Sequence, residues 1–233
     1  MSTSDKQLMQ LVANTLFTYD QTGRMLRVNE PEGDIAPRFF LGRTREGNTW
    51  RFRHDLPMKV IQRLETVCLQ EPIADDLRGR PVHFDAVCTL LEAHAPIHDV
   101  YSGPEYYFPA KITPTGTARR MTSDDASYLR PHFPYSVSRL QAGPPVCVVI
   151  EDGKAVSICF SSRTTPQADE AGIYTVAEHR GKGYALAVAA AWALAIRDTG
   201  RIPLYGTTWD NLASQGVARK LGLVMLGESL QMQ

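Results

Sequence analysis

The sequence has no surplus of either charge: 25 Lys and Arg stand against 25 Asp and Glu. Chains that grip the nucleic-acid backbone carry a basic excess, so no nucleic-acid partner is expected. Cysteine is scarce. Cys68, Cys88, Cys147 and Cys159 form no CxxC pair and no Cys/His ladder, so no metal site is expected. His54, His83, His94, His98 and His132 show no metal spacing either. Long apolar runs are missing. The longest, Tyr184 to Ile196, falls short of the ~20 residues that span a bilayer. The first ten residues are polar and lack the apolar stretch of a signal peptide. These absences together describe a cytoplasmic protein with reduced thiols and no membrane partner.

What is present is ordinary globular composition, 43% hydrophobic and 21% charged, which argues against disorder. The chain reads in two parts, 1–105 and 106–233. In the first, Leu8, Leu11, Val12 and Leu16 fall at helical spacing behind the capping candidates Ser2, Thr3 and Ser4. A strand is expected at Met25 to Val28, and a hairpin from Arg38–Arg43 and Thr49–Arg53 around Glu46-Gly47-Asn48. Helices are expected from Pro57 to before Pro72 and from Phe84 to Leu91. Arg24, Arg27, Arg38, Arg43, Arg45, Arg51 and Arg53 make either one basic sheet face for an acidic ligand or ordinary surface arginines. Pro96 to Thr115 is rich in Pro, Gly and Tyr, and reads as a linker between two halves or as an aromatic lip on a pocket.

The second part alternates strand and helix. A short strand is expected within Thr117–Met121, then a helix capped by Thr122-Ser123-Asp124-Asp125. Val146–Ile150 and Ala155–Phe160 flank Asp152-Gly153, a strong hairpin signal. Strand, helix, strand, helix and strand follow at Ala171–Val176, Tyr184–Ile196, Ile202–Thr207, Asn211–Leu221 and Leu223–Leu226. The fold class is therefore α/β (α+β): a mixed sheet flanked by helices, preceded by a smaller α/β part. The 184–196 helix is apolar nearly all round, so it is a core helix, with Trp192 as packing.

One turn points to chemistry. Ile173–Val176 runs into Arg180-Gly181-Lys182-Gly183-Tyr184-Ala185, which opens the alanine-rich helix. A glycine turn at a helix N-terminus presents backbone N–H groups and the positive end of the helix dipole to a phosphate or pyrophosphate. Arg180 and Lys182 add formal charge. The run is neither GxGxxG nor a Walker A loop, and a purely steric role for its glycines stands as the alternative.

Arg180 to Ala185 resembles the Gln/Arg-x-x-Gly-x-Gly/Ala motif of the GNAT superfamily of acyl-CoA N-acyltransferases. Trp209 to Leu223 resembles that family's second segment, an Asn-led helix after the next strand. The resemblance covers Thr117 to the C-terminus and is nearest to the FR47-like branch. It implies acetyl-CoA as co-substrate, no metal, and a small-molecule amine as acceptor. It implies pantetheine beside the backbone of Thr175 and Val176 and near Asn211, and pyrophosphate on Arg180, Gly181, Lys182, Gly183, Tyr184 and Ala185. The amine needs a base: Glu170 is the first candidate, ahead of Glu178 and His179. The Thr175 N–H is the candidate to polarise the thioester carbonyl. The family's tyrosine acid falls on Ala218, which donates no proton. Ser214 takes its place as candidate acid, with Tyr184, Tyr205 or water as alternatives. Arg219 and Lys220 are either cofactor phosphate ligands or a solvated last turn. A non-catalytic CoA sensor or scaffold and a protein or peptide acetyltransferase are the competing functions, and a homodimer is possible. Residues 1–105 resemble no family and are expected to select the substrate.

Overall fold

A computed structural model describes residues 4–114 and 116–233. Ser2, Thr3 and Thr115 lie outside the described residues. In chain order the elements are α1 (Asp5–Leu16), β1 (Phe17–Tyr19), β2 (Met25–Val28), β3 (Phe39–Thr44), β4 (Gly47–Phe52), α2 (Met58–Gln70), α3 (Phe84–Glu92) and β5 (Val100–Tyr107). There follow β6 (Arg119–Arg120), α4 (Ala126–Leu129), β7 (Val146–Glu151), β8 (Lys154–Thr164), β9 (Ala168–Thr175), α5 (Tyr184–Arg197), β10 (Ile202–Gly206), α6 (Leu212–Lys220) and β11 (Val224–Met232). They cluster into two compact units. The first takes the described residues up to Tyr106 with Gly206–Leu212 and Met225–Gln233. The second takes Tyr107–Tyr205 with Ala213–Val224.

The first unit orders its strands β4-β3-β11-β5, with β1 and β2 as a separate antiparallel pair. Ser4, one of the capping candidates, caps α1, and the structure adds a capping box with Gln7. Pro57 precedes α2, where a missing N–H costs nothing. The apolar faces of α2 and α3 close over Phe39, Leu41, Leu230 and Met232. One expectation fails here and another is incomplete. Pro96 to Thr115 is not only a connection, because Val100–Tyr107 is a full strand. Its Gly103-Pro104 reads as a break in sequence. In the fold, a Cβ at Gly103 would lie 1.8 Å from the Thr207 carbonyl oxygen, so the glycine admits a crossing chain. The arginine cluster is neither a basic face nor all surface, because Arg38 and Arg43 are buried. Arg38 donates to the carbonyls of Leu91, Ala95, Pro96 and Gln233. Arg43 donates from Nε to Glu228 Oε2 at 2.7 Å and bonds the Leu77 and Gly79 carbonyls. Their polar heads are satisfied inside the unit, which is the only state in which burial of a guanidinium is tolerable.

The second unit orders its strands β10-β9-β8-β7-β6. β10 and β9 are parallel and the other pairs antiparallel, so the expected mixed sheet flanked by helices is present. Asp152 (φ 48°) and Gly153 (φ 73°) form the two-residue turn closing β7 on β8, as their dipeptide predicts. α5 packs on one face. Its Trp192 is fully buried and donates from Nε1 to Ser161 Oγ at 3.3 Å, a packing role as expected. The other face carries Leu129 of α4, Met121, Val146, Val148, Ile158 and Phe160. No described helix is long and apolar enough to cross a membrane, and no described group of His, Cys, Asp and Glu is placed to hold a metal ion.

Candidate functional site

The site begins where two parallel strands part. β9 and β10 are in register only from Ala168–Ile202 to Glu170–Leu204. Beyond that point β9 continues to Thr175 paired with β8 alone. Val176 N–H bonds Val156 O on the β8 side, and Ile202 N–H bonds Gln167 O on the β10 side. Strand alternation then aims the main-chain groups of Ile173 and Thr175 into the widening gap. Crevices at the carboxyl ends of parallel strands are where open α/β sheets take ligands. Thr175 keeps its main-chain groups on the gap side of β9. The Val176 N–H is spent on Val156, and its carbonyl accepts from His179 N–H.

The gap runs into the glycine turn. A 3₁₀ turn at Ala177–His179 reverses the chain, and Gly183 stands at the N-cap of α5. Gly181 (φ 78°) and Gly183 (φ 82°) both hold left-handed backbone, where a side chain is strained. A Cβ at either would meet nothing within 4 Å, so the surface above the turn is open. No side chain caps α5, which leaves its first N–H groups for an anion. The donors and the open cradle fit the coenzyme A group that the sequence implies. Arg180 is exposed and donates from Nε to Thr175 O at 3.3 Å. Tyr184 and Ala185 open the helix, half-buried. Lys182 is drawn aside: Glu151 Oε2 lies 3.3 Å from its Nζ.

The candidate base sits at the closed end of the gap. Glu170 is buried and bound by Arg163 of β8, with Ser162 Oγ 3.3 Å from the same carboxylate oxygen. A bulge makes that pairing possible. The β8–β9 register slips between Ser161 and Arg163, which turns Arg163 onto the face of Glu170. Asp169 and Ser161 face α5, bonded to each other near Trp192. Glu170, Phe160 and Tyr174 therefore face the opposite side. Glu178 is exposed, while His179 is paired with Glu151 at 2.7 Å, which leaves neither placed beside Glu170.

The candidate acid lies on the α5 side. Tyr205, the first residue of β10 past the paired stretch, packs on Phe108, which packs on Trp192. Its hydroxyl stands 2.6 Å from Ser214 Oγ in α6. Ala218, at the position the sequence comparison marks for a tyrosine, is a buried packing residue. Asn211 is exposed immediately before α6, in the segment that clusters with the first unit. Arg219 and Lys220 are exposed in the last turn, a solvated end favourable to the helix dipole.

Two residues stand outside the sequence-derived set: Arg163, which needs the bulge to reach Glu170, and Glu151, which gathers His179, Lys182 and Tyr184 from 28 to 33 positions away. Nothing local in the sequence signals either pairing.

Residues 137–228 match the family described as GNAT acetyltransferase. No curated protein matches the chain. Among solved structures, the chain is similar in fold to a GCN5-related N-acetyltransferase-like protein from Streptococcus suis 89/1591, at 16% identity and TM-score 0.51. That likeness covers 97% of this chain and 98% of the other. An acetyltransferase from the GNAT family of Colwellia psychrerythraea aligns at 13% identity and TM-score 0.49, over 79% of this chain and 75% of that one. A GNAT-family protein of Novosphingobium aromaticivorans DSM 12444 aligns at 14% identity and TM-score 0.48, over 58% of this chain. The alignment spans 65% of that protein's length.

Proposed function

We propose that this chain, which carries a GNAT acetyltransferase domain at residues 137–228, moves an acetyl group from acetyl-CoA to the primary amine of a small molecule by direct attack. The domain is an acyl-CoA-dependent N-acetyltransferase with acetyl-CoA as co-substrate. The small-molecule acceptor and the residue roles are our inference. One observation carries them: the β9–β10 gap opens at Glu170 and Leu204 and leads to an uncapped helix N-terminus with two open glycines.

When bound, acetyl-CoA supplies an acyl group activated as a thioester. The backbone N–H groups from Gly181 to Ala185 hold its pyrophosphate, and Thr175 N–H polarises the thioester carbonyl as negative charge grows on its oxygen. Glu170 takes the proton of the attacking amine, held in one rotamer by Arg163. Ser214 gives a proton to the departing sulfur, with Tyr205 O–H donating to Ser214 Oγ in turn. Base and acid thus act from opposite faces of the sheet. Attack and departure then do not compete for one group. A thiol with a pKa of ~8.5 leaves tolerably even without help, so the acid is the smaller contribution.

Ala218 supports a second reading, a CoA-binding protein without turnover. Thiol release from acetyl-CoA, measured against a panel of primary amines, separates the two. Amine-dependent release supports the enzyme. Acetyl-CoA binding with no release from small amines or peptides supports the sensor, and release with peptides alone supports a protein acceptor.

A further inference from the structure

We propose that Arg139 is the anchor for a carboxylate on the acceptor, so that the substrate is an amino acid or a related amine bearing one carboxylate. The proposal rests on the acetyltransferase reading and names the substrate class of that same site.

The face of β8 and β9 that carries Glu170 is a layered patch. Phe160 stands opposite Gly172, and a Cβ on Gly172 would lie 2.9 Å from the Phe160 ring. The missing side chain lets the ring lie flat against β9. The Tyr174 ring stacks on Phe160 at 6.1 Å and 17° and is 62% exposed. The Arg139 guanidinium sits 4.0 Å from the Phe160 ring centroid. This clamps Phe160 between Gly172 and Arg139, and it leaves the Tyr174 ring open to a ligand.

Arg163 is paired with Glu170. Arg139 gives one hydrogen bond to Ser161 O at 3.2 Å, and no described carboxylate pairs with it. A guanidinium has five N–H donors in a fork that matches a planar oxyanion in two places. Half-buried on an aromatic ring, it is partly desolvated, which strengthens its pull on an anion. One carboxylate matches the single charge of that guanidinium.

Spacing agrees with that acceptor. Glu170 and Gly172 are two residues, about 7 Å, apart on one strand face, and Phe160, which Arg139 covers, pairs with Gly172. An amine next to Glu170 and a carboxylate on Arg139 therefore fit one small amino acid, with its side chain against Tyr174.

The test compares matched acceptors: an amino acid, its carboxamide, its decarboxylated amine and a phosphorylated amine. Acetyl-CoA affinity is measured separately by calorimetry. The inference expects kcat/KM for the amino acid at least tenfold above the carboxamide and the decarboxylated amine. It expects Arg139→Ala to raise KM for the amino acid tenfold or more while leaving KM for the carboxamide and acetyl-CoA affinity unchanged. Arg139→Lys should recover part of the loss. Equal kcat/KM for acid and carboxamide in the wild type overturns it without recourse to any variant, and so does preference for the phosphorylated amine. Acetyl-CoA bound with no acceptor in the panel acetylated also overturns it. Failure of the wild type to bind acetyl-CoA is a different failure, that of the acetyltransferase reading.

Discussion

The Tyr205 hydroxyl stands 2.6 Å from Ser214 Oγ, where β10 has just left its pairing with β9. Ala218 is buried one turn further along α6. If the two hydroxyls act as one proton-donating unit, their losses do not add. Ser214→Ala and Tyr205→Phe should each lower kcat about 10- to 100-fold, in the range of general acid catalysis. The double variant should be no slower than the worse single one. Steady-state rates at saturating acceptor decide it, and an unchanged kcat in Ser214→Ala assigns thiolate protonation to water.

Glu170 offers the sharper loss. Glu170→Gln keeps the shape and removes the proton acceptor, so kcat should fall about 100-fold at a pH below the amine's pKa. Acetyl-CoA affinity should stay as it was. Arg163→Met should also lower kcat, through the lost orientation of Glu170. Raising pH until the amine is neutral should restore much of the rate in Glu170→Gln. Full activity of Glu170→Gln below the amine's pKa removes Glu170 as the base.

The Arg43–Glu228 pair is a stability prediction in the first unit. Burial pushes the Glu228 carboxyl up, and Arg43 pulls it back down. Arg43→Met strands that carboxylate among buried groups and should cost about 3–5 kcal/mol. Replacing both, with Glu228→Leu beside Arg43→Met, should return most of it, because the desolvation cost disappears with the charges. Urea unfolding of the three variants measures both figures.

The cysteines give a pH prediction. Burial pushes the thiols of Cys68 and Cys147 up to about 12, and that of Cys159 well up. The unfolded chain ionises such thiols near pH 9. The native state holds more protons between pH 9 and 12, so stability falls as pH rises through that window. The melting temperature should drop steadily above pH 9. Cys88, half-buried, should react first with a thiol reagent, and the other three only on unfolding.

Much of this was legible where the signal is local. Asp152-Gly153 announces its hairpin because both turn residues need positive φ. Gly181 and Gly183 announce an open helix start for the same reason. The cap candidate Ser4 announces α1. What stayed hidden depends on residues far apart in sequence. Arg43 meets a partner 185 positions away, so its burial looks like surface charge from the chain alone. Gly103-Pro104 looks like a break because the Thr207 carbonyl that demands the glycine comes a hundred residues later. Arg163 reaches Glu170 only after the β8 bulge shifts its face, and strict alternation hides that. At the site, the strand-to-helix turn at Gly181 and Gly183 was readable. The loss of the Val176 amide to Val156 and the diversion of Lys182 to Glu151 were not.

The central claim is that the glycine turn of α5 holds the pyrophosphate of acetyl-CoA. Calorimetric titration of the full chain with acetyl-CoA tests it most directly, with Gly183→Trp as the paired variant. A bulky side chain at Gly183 fills the open space above the turn and strains its left-handed backbone. The account predicts micromolar binding by the wild type, about −8 kcal/mol, and its loss in a Gly183→Trp protein whose circular dichroism is unchanged. Absence of binding by the wild type, or equal binding by a folded Gly183→Trp, contradicts it.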